Sequence, residues 1–398
     1  MKQGTIILFV FMLLSVSCIN NKKVITPLMW AKKMADSDMK RNPDPAKLDF
    51  SKNREWSYCQ GLVCLANQRL SEVTGEQKYD SYALKYAEEM IDDSGNIFTY
   101  NKEIYNLDMI KSGDILYKIY QDTKEERYRK AIFSLRDQLR KQPRTPEGGF
   151  WHKKIYKNQM WLDGIYMANP FYARFGKEFN DPEALKDVAT QISLIQEHTK
   201  DSLTGLNVHG WNSDKQEKWA DQETGKSPHV WGRAEGWYIM AMVDVLDFMP
   251  DNSVEKNKIL FILKEVAEAV KIAQDKKSGV WYQVMDEPGR EGNYLEATCS
   301  SMFVYAFLKG SRKGYLDDSF HEVGEFGYKG LLNNFVREKK NGMVSLIKCC
   351  AVAGLGGKPY RDGSFRYYTT TLIRDNDPKG VGPFIMACIE MNLTEKDE

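Results

Sequence analysis

The stretch NQMWLDGIYMANPFYARF, Asn158–Phe175, decides how the rest of this sequence is interpreted. It opens with polar and aromatic residues and continues as a mostly apolar run of helical length, which predicts an interior helix. One carboxylate, Asp163, lies near its start beside Trp161 and Tyr166. Apolar, aromatic neighbours favour the protonated form of a carboxyl group, which is the form a general acid needs. The alternative is an acidic residue that only stabilises the first turn of a helix.

Segments of this kind recur along the chain and alternate with a second kind. Six segments are weakly charged and open with aromatic or polar residues: Trp56–Leu70, Leu107–Ile119, Met160–Phe175, Val230–Phe248, Leu295–Leu308 and Val381–Met391. Six others are amphipathic and charged, as expected of helices that bury one face: Pro27–Arg41, Lys78–Asp93, Glu126–Arg144, Asp181–Lys200, Asn257–Lys276 and Phe320–Glu338. The economical arrangement is six helical hairpins closed into a ring. We therefore predict an all-α, single-domain (α/α)6 barrel over residues 27–398. An open α-solenoid is the alternative, but it needs polar capping hairpins and the last segment is apolar.

In such a barrel the starts of the inner helices converge on one concave face, which is the natural place for a site. The long loops before several inner helices also reach this face, and some are expected to carry short strands. The residues predicted to meet there are Tyr58, Asp108, Asp163, Trp231, Arg233, Trp237 and Glu296, with His152, His209 and Arg361 from the loops. Aromatic rings stack on sugar rings, and an arginine fork binds a carboxylate. The composition therefore predicts a site for an acidic sugar.

Each of these residues also has a purely structural interpretation. Asp108 could accept backbone N–H groups at a helix start, and either histidine could be a hydrogen-bonded core residue. The two tryptophans of the fourth inner segment could be core residues as well. Arg233 could pair with nearby Glu235, and Asp244 is expected only to be solvated or to cap a helix.

Charge and composition restrict the class of protein. The chain has 56 basic and 55 acidic residues, which argues against a nucleic-acid-binding protein. Lys2, the apolar run Ile6–Leu14 and the small residues before Cys18 resemble a bacterial lipoprotein signal. We expect a signal over residues 1–18 with Cys18 lipidated, then a short linker over 19–26; plain secretion is the alternative. The protein is thus expected to be exported, and periplasmic or anchored to a membrane only through lipid.

Six cysteines remain after Cys18, and none has the spacing of a zinc site. Most of them lie in apolar helical stretches, where a thiol behaves as a small core residue. We therefore expect mostly free thiols, no metal and no cofactor. A monomer or a weak homodimer is expected.

Three runs together carry a resemblance to a known family. They are Met160–Gly164 (MWLDG), Trp231–Trp237 (WGRAEGW) followed by Ala241–Leu246 (AMVDVL), and Lys379–Phe384 (KGVGPF). In this order and spacing they resemble glycoside hydrolase family 105, the unsaturated rhamnogalacturonyl hydrolases and their relatives. The unsaturated glucuronyl hydrolases of family 88 are a close sister group. The resemblance covers nearly the whole chain after the leader and implies an (α/α)6 barrel.

The resemblance also implies roles for individual residues. Asp163 matches the general acid/base and Asp108 the second essential carboxylate, which as a nearby negative charge would help Asp163 keep its proton. The residues matching the pocket for an unsaturated uronic acid are Tyr58, His152, Trp161, His209, Trp231, Arg233 and Trp237. Glu235 departs from the family pattern, where a smaller or neutral residue is expected, and an added acid would bear on the substrate.

The implied reaction releases a terminal 4,5-unsaturated uronic acid from lyase-generated oligosaccharides by hydrating the C4=C5 enol ether. Unsaturated galacturonyl-rhamnose is the expected substrate, and a glucuronide oligosaccharide is the first alternative. An isomerase or epimerase that uses His152 and His209 as a proton-moving pair is another. A non-catalytic, oligosaccharide-binding surface lipoprotein is the last.

Overall fold

The computed structural model describes residues 25–397, with side chains up to residue 394. The predicted leader and Cys18 lie outside the described residues. The described part of the chain forms thirteen α-helices: α1 (Pro27–Arg41), α2 (Tyr58–Thr74), α3 (Gln77–Met90), α4 (Asp114–Thr123), α5 (Glu126–Lys141), α6 (Leu162–Glu178), α7 (Pro182–Thr199), α8 (Gly232–Val245), α9 (Val254–Ile272), α10 (Ala297–Arg312), α11 (Ser319–Phe335), α12 (Phe365–Thr370) and α13 (Pro378–Asp397).

The inner helices close into a ring. In order around it, α2, α4, α6, α8, α10 and α13 each contact the next, and α13 packs on α2. The contact between α4 and α6 includes the Tyr117 hydroxyl, which donates to the Phe171 carbonyl at 2.9 Å. An outer helix covers each of them: α3, α5, α7, α9 and α11 follow their inner partners in the chain, and α1 covers α13. The first and last helices of the barrel therefore complete the sixth hairpin together. The predicted (α/α)6 barrel is confirmed, and α12 is a short addition in the loop before α13.

Local sequence explains where several helices begin and end. The side chain of Asp181 accepts a hydrogen bond from the Ala184 N–H at 3.2 Å and Pro182 follows it, a strong start for α7. Gly75 ends α2 with φ +70°, a left-handed conformation that favours glycine, while its N–H bonds Ser71. The inner helix α8 is buried over its whole length, as an interior helix should be.

Six short strands lie in the long loops and form three antiparallel pairs. They are β1 (Gln159–Trp161), β2 (Gly210–Asn212), β3 (Val336–Glu338), β4 (Val344–Leu346), β5 (Cys349–Cys350) and β6 (Ile373–Arg374). β1 pairs with β2, and Trp161 lies opposite Gly210. A Cβ on Gly210 would lie 2.8 Å from the Trp161 ring, so only glycine allows this close approach. Because β1 runs directly into α6, this pairing fixes the start of that helix.

The second inner segment differs from its prediction. Leu107–Met109 and Lys111–Gly113 form 3-10 turns, and the α-helix begins only at Asp114. The side chain of Asn106 accepts a hydrogen bond from the Asp108 N–H at 3.0 Å, a local bond that competes with regular helix formation. Asp108 consequently lies in a 3-10 turn ahead of the helix.

The barrel interior contains a buried ion cluster that links α2, α8 and α10. Asp244 is 2% exposed, and its carboxylate accepts hydrogen bonds from Arg69 at 3.1 Å and Lys309 at 2.6 Å. The expectation that Asp244 is solvated or a cap is therefore wrong, because it pairs with two cations inside the barrel. The six cysteines among the described residues are buried and free, as predicted. In residues 25–397 no helix has the length and apolarity to cross a membrane.

Candidate active site

Asp163 is the second residue of α6, and the β1–β2 pair brings His209 next to it. The Leu162 N–H bonds the His209 carbonyl at 3.1 Å, which places the two chain segments side by side. Nε2 of His209 lies 3.1 Å from Oδ2 of Asp163. Oδ2 is buried, so Oδ1 is the oxygen of this carboxyl group that remains to meet a substrate.

His209 is fully buried and is held from its other side. Its Nδ1 lies 2.8 Å from the Tyr368 hydroxyl. Burial lowers the pKa of His209, and the neighbouring Asp163 only partly offsets this effect, so the ring is neutral near pH 7. A neutral imidazole has one N–H and one acceptor nitrogen, and a hydroxyl can serve either. His209 can therefore connect Tyr368 with Asp163 without carrying charge.

Asp108 lies on the neighbouring element with two basic partners. Its Oδ2 is 2.7 Å from Nζ of Lys153, and its Oδ1 is 3.2 Å from Nε2 of His152. Burial alone would raise the pKa of Asp108, but Lys153 and then His152 outweigh it and hold that pKa well below its usual range. The pKa of Lys153 is raised in turn, because Asp108 outweighs the opposing effect of burial. Asp108 is thus a permanent carboxylate.

Aromatic rings form a wall between the two carboxyl groups. Trp161 stacks on His152 at 4.5 Å and on Tyr156 at 4.7 Å, and the centroids of the last two rings are 6.4 Å apart. The edge of Trp161 also meets the ring of His209 at 5.5 Å. This stack connects the surroundings of Asp108 with those of Asp163.

A second aromatic group adjoins His209. Trp231, the residue before α8, lies 4.8 Å from the His209 ring and stacks on Tyr368 at 5.8 Å. Trp237 meets the half-buried Tyr58 edge-on at 6.3 Å. Burial raises the pKa of Tyr58 well above its usual range, and the nearby carboxylate of Asp108 contributes further. Tyr58 is therefore within electrostatic reach of Asp108.

Arg233 lies beneath the pocket wall rather than in it. It is 1% exposed, and its guanidinium carbon is 4.6 Å from the Trp231 ring centroid. Its two outer nitrogens donate hydrogen bonds to the carbonyls of Cys350 at 2.5 Å and Ala351 at 3.1 Å. Among the ion pairs of the described residues Arg233 has none. No carboxylate therefore contacts its positive charge, and its two outer nitrogens are already bonded to backbone carbonyls.

The two glutamates near these elements are not pocket acids. Glu235 is fully buried, and its only bonded partner among residues 25–394 is the Asn207 N–H at 3.3 Å. Burial raises the pKa of Glu235 well above its usual range, so it holds its proton. It does not pair with Arg233. Glu296 caps α10 through the Cys299 N–H and accepts the Cys350 N–H as well, both at 2.7 Å.

Four residues around the site were missed, or only loosely placed, by the sequence interpretation. Lys153 and Tyr156 belong to the loop that carries His152, and a basic residue next to a candidate histidine was an available signal. Arg361, only loosely placed before, donates to the Tyr156 hydroxyl at 2.7 Å and lies 5.8 Å from the Trp161 centroid. Tyr368 contacts His209 across 159 residues of chain, and no local pattern indicates it. Within the described residues no group of His, Cys, Asp and Glu side chains could hold a metal ion.

Comparison with known proteins identifies the family of this chain. The sequence model of Glycosyl Hydrolase Family 88 matches residues 30–394. A solved glycoside hydrolase of family 105 from C. acetobutylicum ATCC 824 is 44% identical, with a TM-score of 0.88 over 92% of this chain and 99% of that one. The chain belongs to the family 88/105 group of glycoside hydrolases.

Two curated relatives extend the comparison of this glycoside hydrolase. A protein of Agrobacterium fabrum (strain C58 / ATCC 33970) is 36% identical over 236 residues, which are 57% of this chain and 99% of the relative. An unsaturated rhamnogalacturonyl hydrolase of Bacillus subtilis (strain 168) is 22% identical over 272 residues, 67% of this chain and 74% of the relative. The resemblance drawn from the three sequence runs is confirmed. The chain is an enzyme of the unsaturated uronyl hydrolase group, and the isomerase and non-catalytic interpretations fall away.

Proposed function

We propose that this enzyme releases the terminal 4,5-unsaturated uronic acid from lyase-generated oligosaccharides, with unsaturated galacturonyl-rhamnose from rhamnogalacturonan as its substrate. The observation that carries the proposal is the position of Asp163. It lies in the first turn of an inner helix with one oxygen buried against a neutral His209 and the other left for a substrate. The name of the Bacillus subtilis relative supports the choice of sugar.

In the proposed reaction Oδ1 of Asp163 gives its proton to C4 of the enol ether. Positive charge then develops at C5 and is shared with the ring oxygen. Asp163, now a carboxylate, takes a proton from a water molecule as that water adds to C5. The resulting hemiketal opens, the leaving sugar departs, and one water is consumed. A proton on Nε2 of His209 would face Oδ2 throughout, which keeps the reacting oxygen of Asp163 aimed at the sugar.

The remaining residues are proposed to hold the sugar. Asp108, kept ionised by Lys153, accepts hydrogen bonds from ring hydroxyls. Trp161 and Trp231 offer rings on which a pyranose can stack. Arg233 favours an anionic sugar through the field of its charge, because its outer nitrogens already bond backbone carbonyls.

The test is a panel of unsaturated disaccharides made by rhamnogalacturonan, ulvan and chondroitin lyases. Loss of the ultraviolet absorbance of the enol ether reports turnover. We expect the rhamnogalacturonan product to be consumed fastest, and Asp163→Asn to lose a factor of about a hundred to ten thousand. The same change at an exposed site, Asp93→Asn, is the control. Preference for the chondroitin product would overturn the sugar assignment, and near-normal turnover by Asp163→Asn would overturn its role.

We further propose that the protein is exported and is a periplasmic or membrane-anchored lipoprotein carrying lipid on Cys18, and that it acts as a monomer or weak homodimer. Labelled fatty acid should be incorporated into the wild-type chain and not into Cys18→Ala. Sedimentation of the chain without its leader tests the oligomeric state.

A further inference from the structure

A small cavity lies behind the start of α6, on the side of His152 that faces away from Asp108. Its lining is mostly apolar, and its polar members are His152, Asn169 and Gln191. The volume is about 10 Å³. That is close to the smallest space that holds one water molecule.

Two of the polar side chains lack partners among the described residues. Nδ1 of His152 has no hydrogen-bond partner, and neither polar atom of the Asn169 side chain has one. His152 is 3% exposed and Asn169 is 1% exposed. Gln191 differs, since it accepts from the Phe150 N–H at 2.7 Å and donates to the Gly148 carbonyl at 3.0 Å. The unpaired polar atoms in the cavity lining therefore belong to His152 and Asn169.

A ligand of this cavity must bond an imidazole nitrogen and an amide within the space of one small molecule. Leaving buried polar groups unpaired is unfavourable, and ordered water is their usual partner when protein groups are absent. No Asp, Glu, Lys or Arg side chain lines the cavity, so the lining holds no permanent charge to pair with an ion. Water fits in size and in its capacity both to donate and to accept.

The other nitrogen of His152 determines which way this water must point. Nε2 lies 3.2 Å from Oδ1 of Asp108, and an ionised carboxylate can only accept a hydrogen bond. Nε2 therefore carries a proton, and in the tautomer with a single ring N–H the other nitrogen, Nδ1, is the acceptor. A donor at Nδ1 stabilises this tautomer over the other one.

We propose that a single buried water links the amide of Asn169 to Nδ1 of His152 and thereby fixes the tautomer in which His152 donates to Asp108. Asn169 is a positioning residue of the active site, acting through the water and His152 on a carboxylate that binds substrate. The catalytic consequence rests on the proposed function, whereas the water site and the tautomer do not.

Three measurements on the full chain test the proposal. A high-resolution crystal structure should show one water between His152 and Asn169. Nitrogen-15 spectra of histidine-labelled protein, with His152 assigned from a His152→Gln sample, should show its proton on Nε2. In Asn169→Leu the water should be absent and the His152 nitrogen signals should move toward the other tautomer. The value of kcat should fall about fivefold, the equivalent of one hydrogen bond, with little change in KM.

Asn67→Leu is the matched control, because Asn67 is also a fully buried asparagine of an inner helix with an unpaired carbonyl oxygen. It should leave the His152 signals unchanged. Absence of the water from wild-type density, a proton on Nδ1 in the wild type, or unchanged His152 signals in Asn169→Leu would each overturn the proposal. The wild-type measurements do not require the variant to fold. A wild-type enzyme inactive on the disaccharide panel would overturn the proposed function and leave these readouts intact.

Discussion

Glu235 should destabilise this enzyme progressively as the pH rises. Its carboxyl group is fully buried, bonds only the Asn207 N–H among residues 25–394, and has a pKa raised well above its usual range by burial. In the unfolded chain the same group has a pKa of about 4.3. Below that pH both states hold the proton, and the group costs no stability. Above it the unfolded chain releases a proton that the folded protein retains, so unfolding becomes easier.

Glu235→Gln removes this titration and keeps an oxygen to accept the Asn207 N–H. Below about pH 4 the free energy of unfolding of the variant should depend on pH in the same way as that of the wild type. It should then exceed the wild type by a further amount of about 1.4 kcal/mol for each pH unit over which the folded protein keeps its proton. Because Glu235 faces away from Arg233, kcat and KM should be nearly unchanged.

Urea unfolding followed by far-ultraviolet circular dichroism, at pH values from 4 to 8, measures this difference. Glu72→Gln is the control, since it makes the same chemical change at an exposed position of α2. It should follow the wild type within about 0.5 kcal/mol at every pH. A difference between Glu235→Gln and wild type that stays constant across the pH range would refute the reasoning, because a group that is not held protonated gives no slope.

Three further predictions concern the site and the core. Lys153→Met should raise the pKa of Asp108, so the stability that Asp108 provides above its unfolded pKa should be lost at a higher pH than in the wild type. The acid limb of the kcat/KM profile should shift to higher pH as well. Lys153→Arg should restore both, and an acid limb that does not move in Lys153→Met would contradict the pairing. Asp244→Asn should lower the free energy of unfolding by about 3 kcal/mol in urea titrations, because Arg69 loses its carboxylate partner and Lys309 keeps only Asp247. A loss below about 1 kcal/mol would argue against the cluster. Tyr368→Phe should lower kcat about fivefold at similar KM, the effect of one hydrogen bond on His209, and an unchanged kcat would remove Tyr368 from the site.

The barrel was predictable because its signal is local and repeated. Most inner segments are weakly charged and apolar over much of their surface, and each outer one is apolar on a single face, so the two classes separate without knowledge of any contact. The position of Asp163 in the first turn of an inner helix followed from the same pattern. The boundaries near Asp108 did not, because a side-chain bond from Asn106 replaces regular helical bonding there.

The misplacement of Glu235 could have been avoided from helix geometry alone. Residues two apart on an α-helix lie about 200° apart around its axis, so Arg233 and Glu235 could not have shared a face. The contact between His209 and Tyr368 is different in kind. It depends on where two long loops lie on the barrel, and the sequence pattern of neither loop predicts that position.

The two carboxyl groups of the site have different charged neighbours, and this difference supports the roles proposed for them. Asp108 contacts a lysine, so it stays ionised and is suited to holding hydroxyls but not to donating a proton. Asp163 contacts only His209 among the basic residues that the structure describes, and burial keeps that ring neutral. The sequence interpretation had Asp108 help Asp163 keep its proton by repulsion. Because Lys153 compensates the charge of Asp108, that repulsion is weakened at its source. No lysine or arginine pairs with Asp163 among the described residues, whereas Asp108 has Lys153, and the role proposed for Asp163 as a proton donor requires that difference.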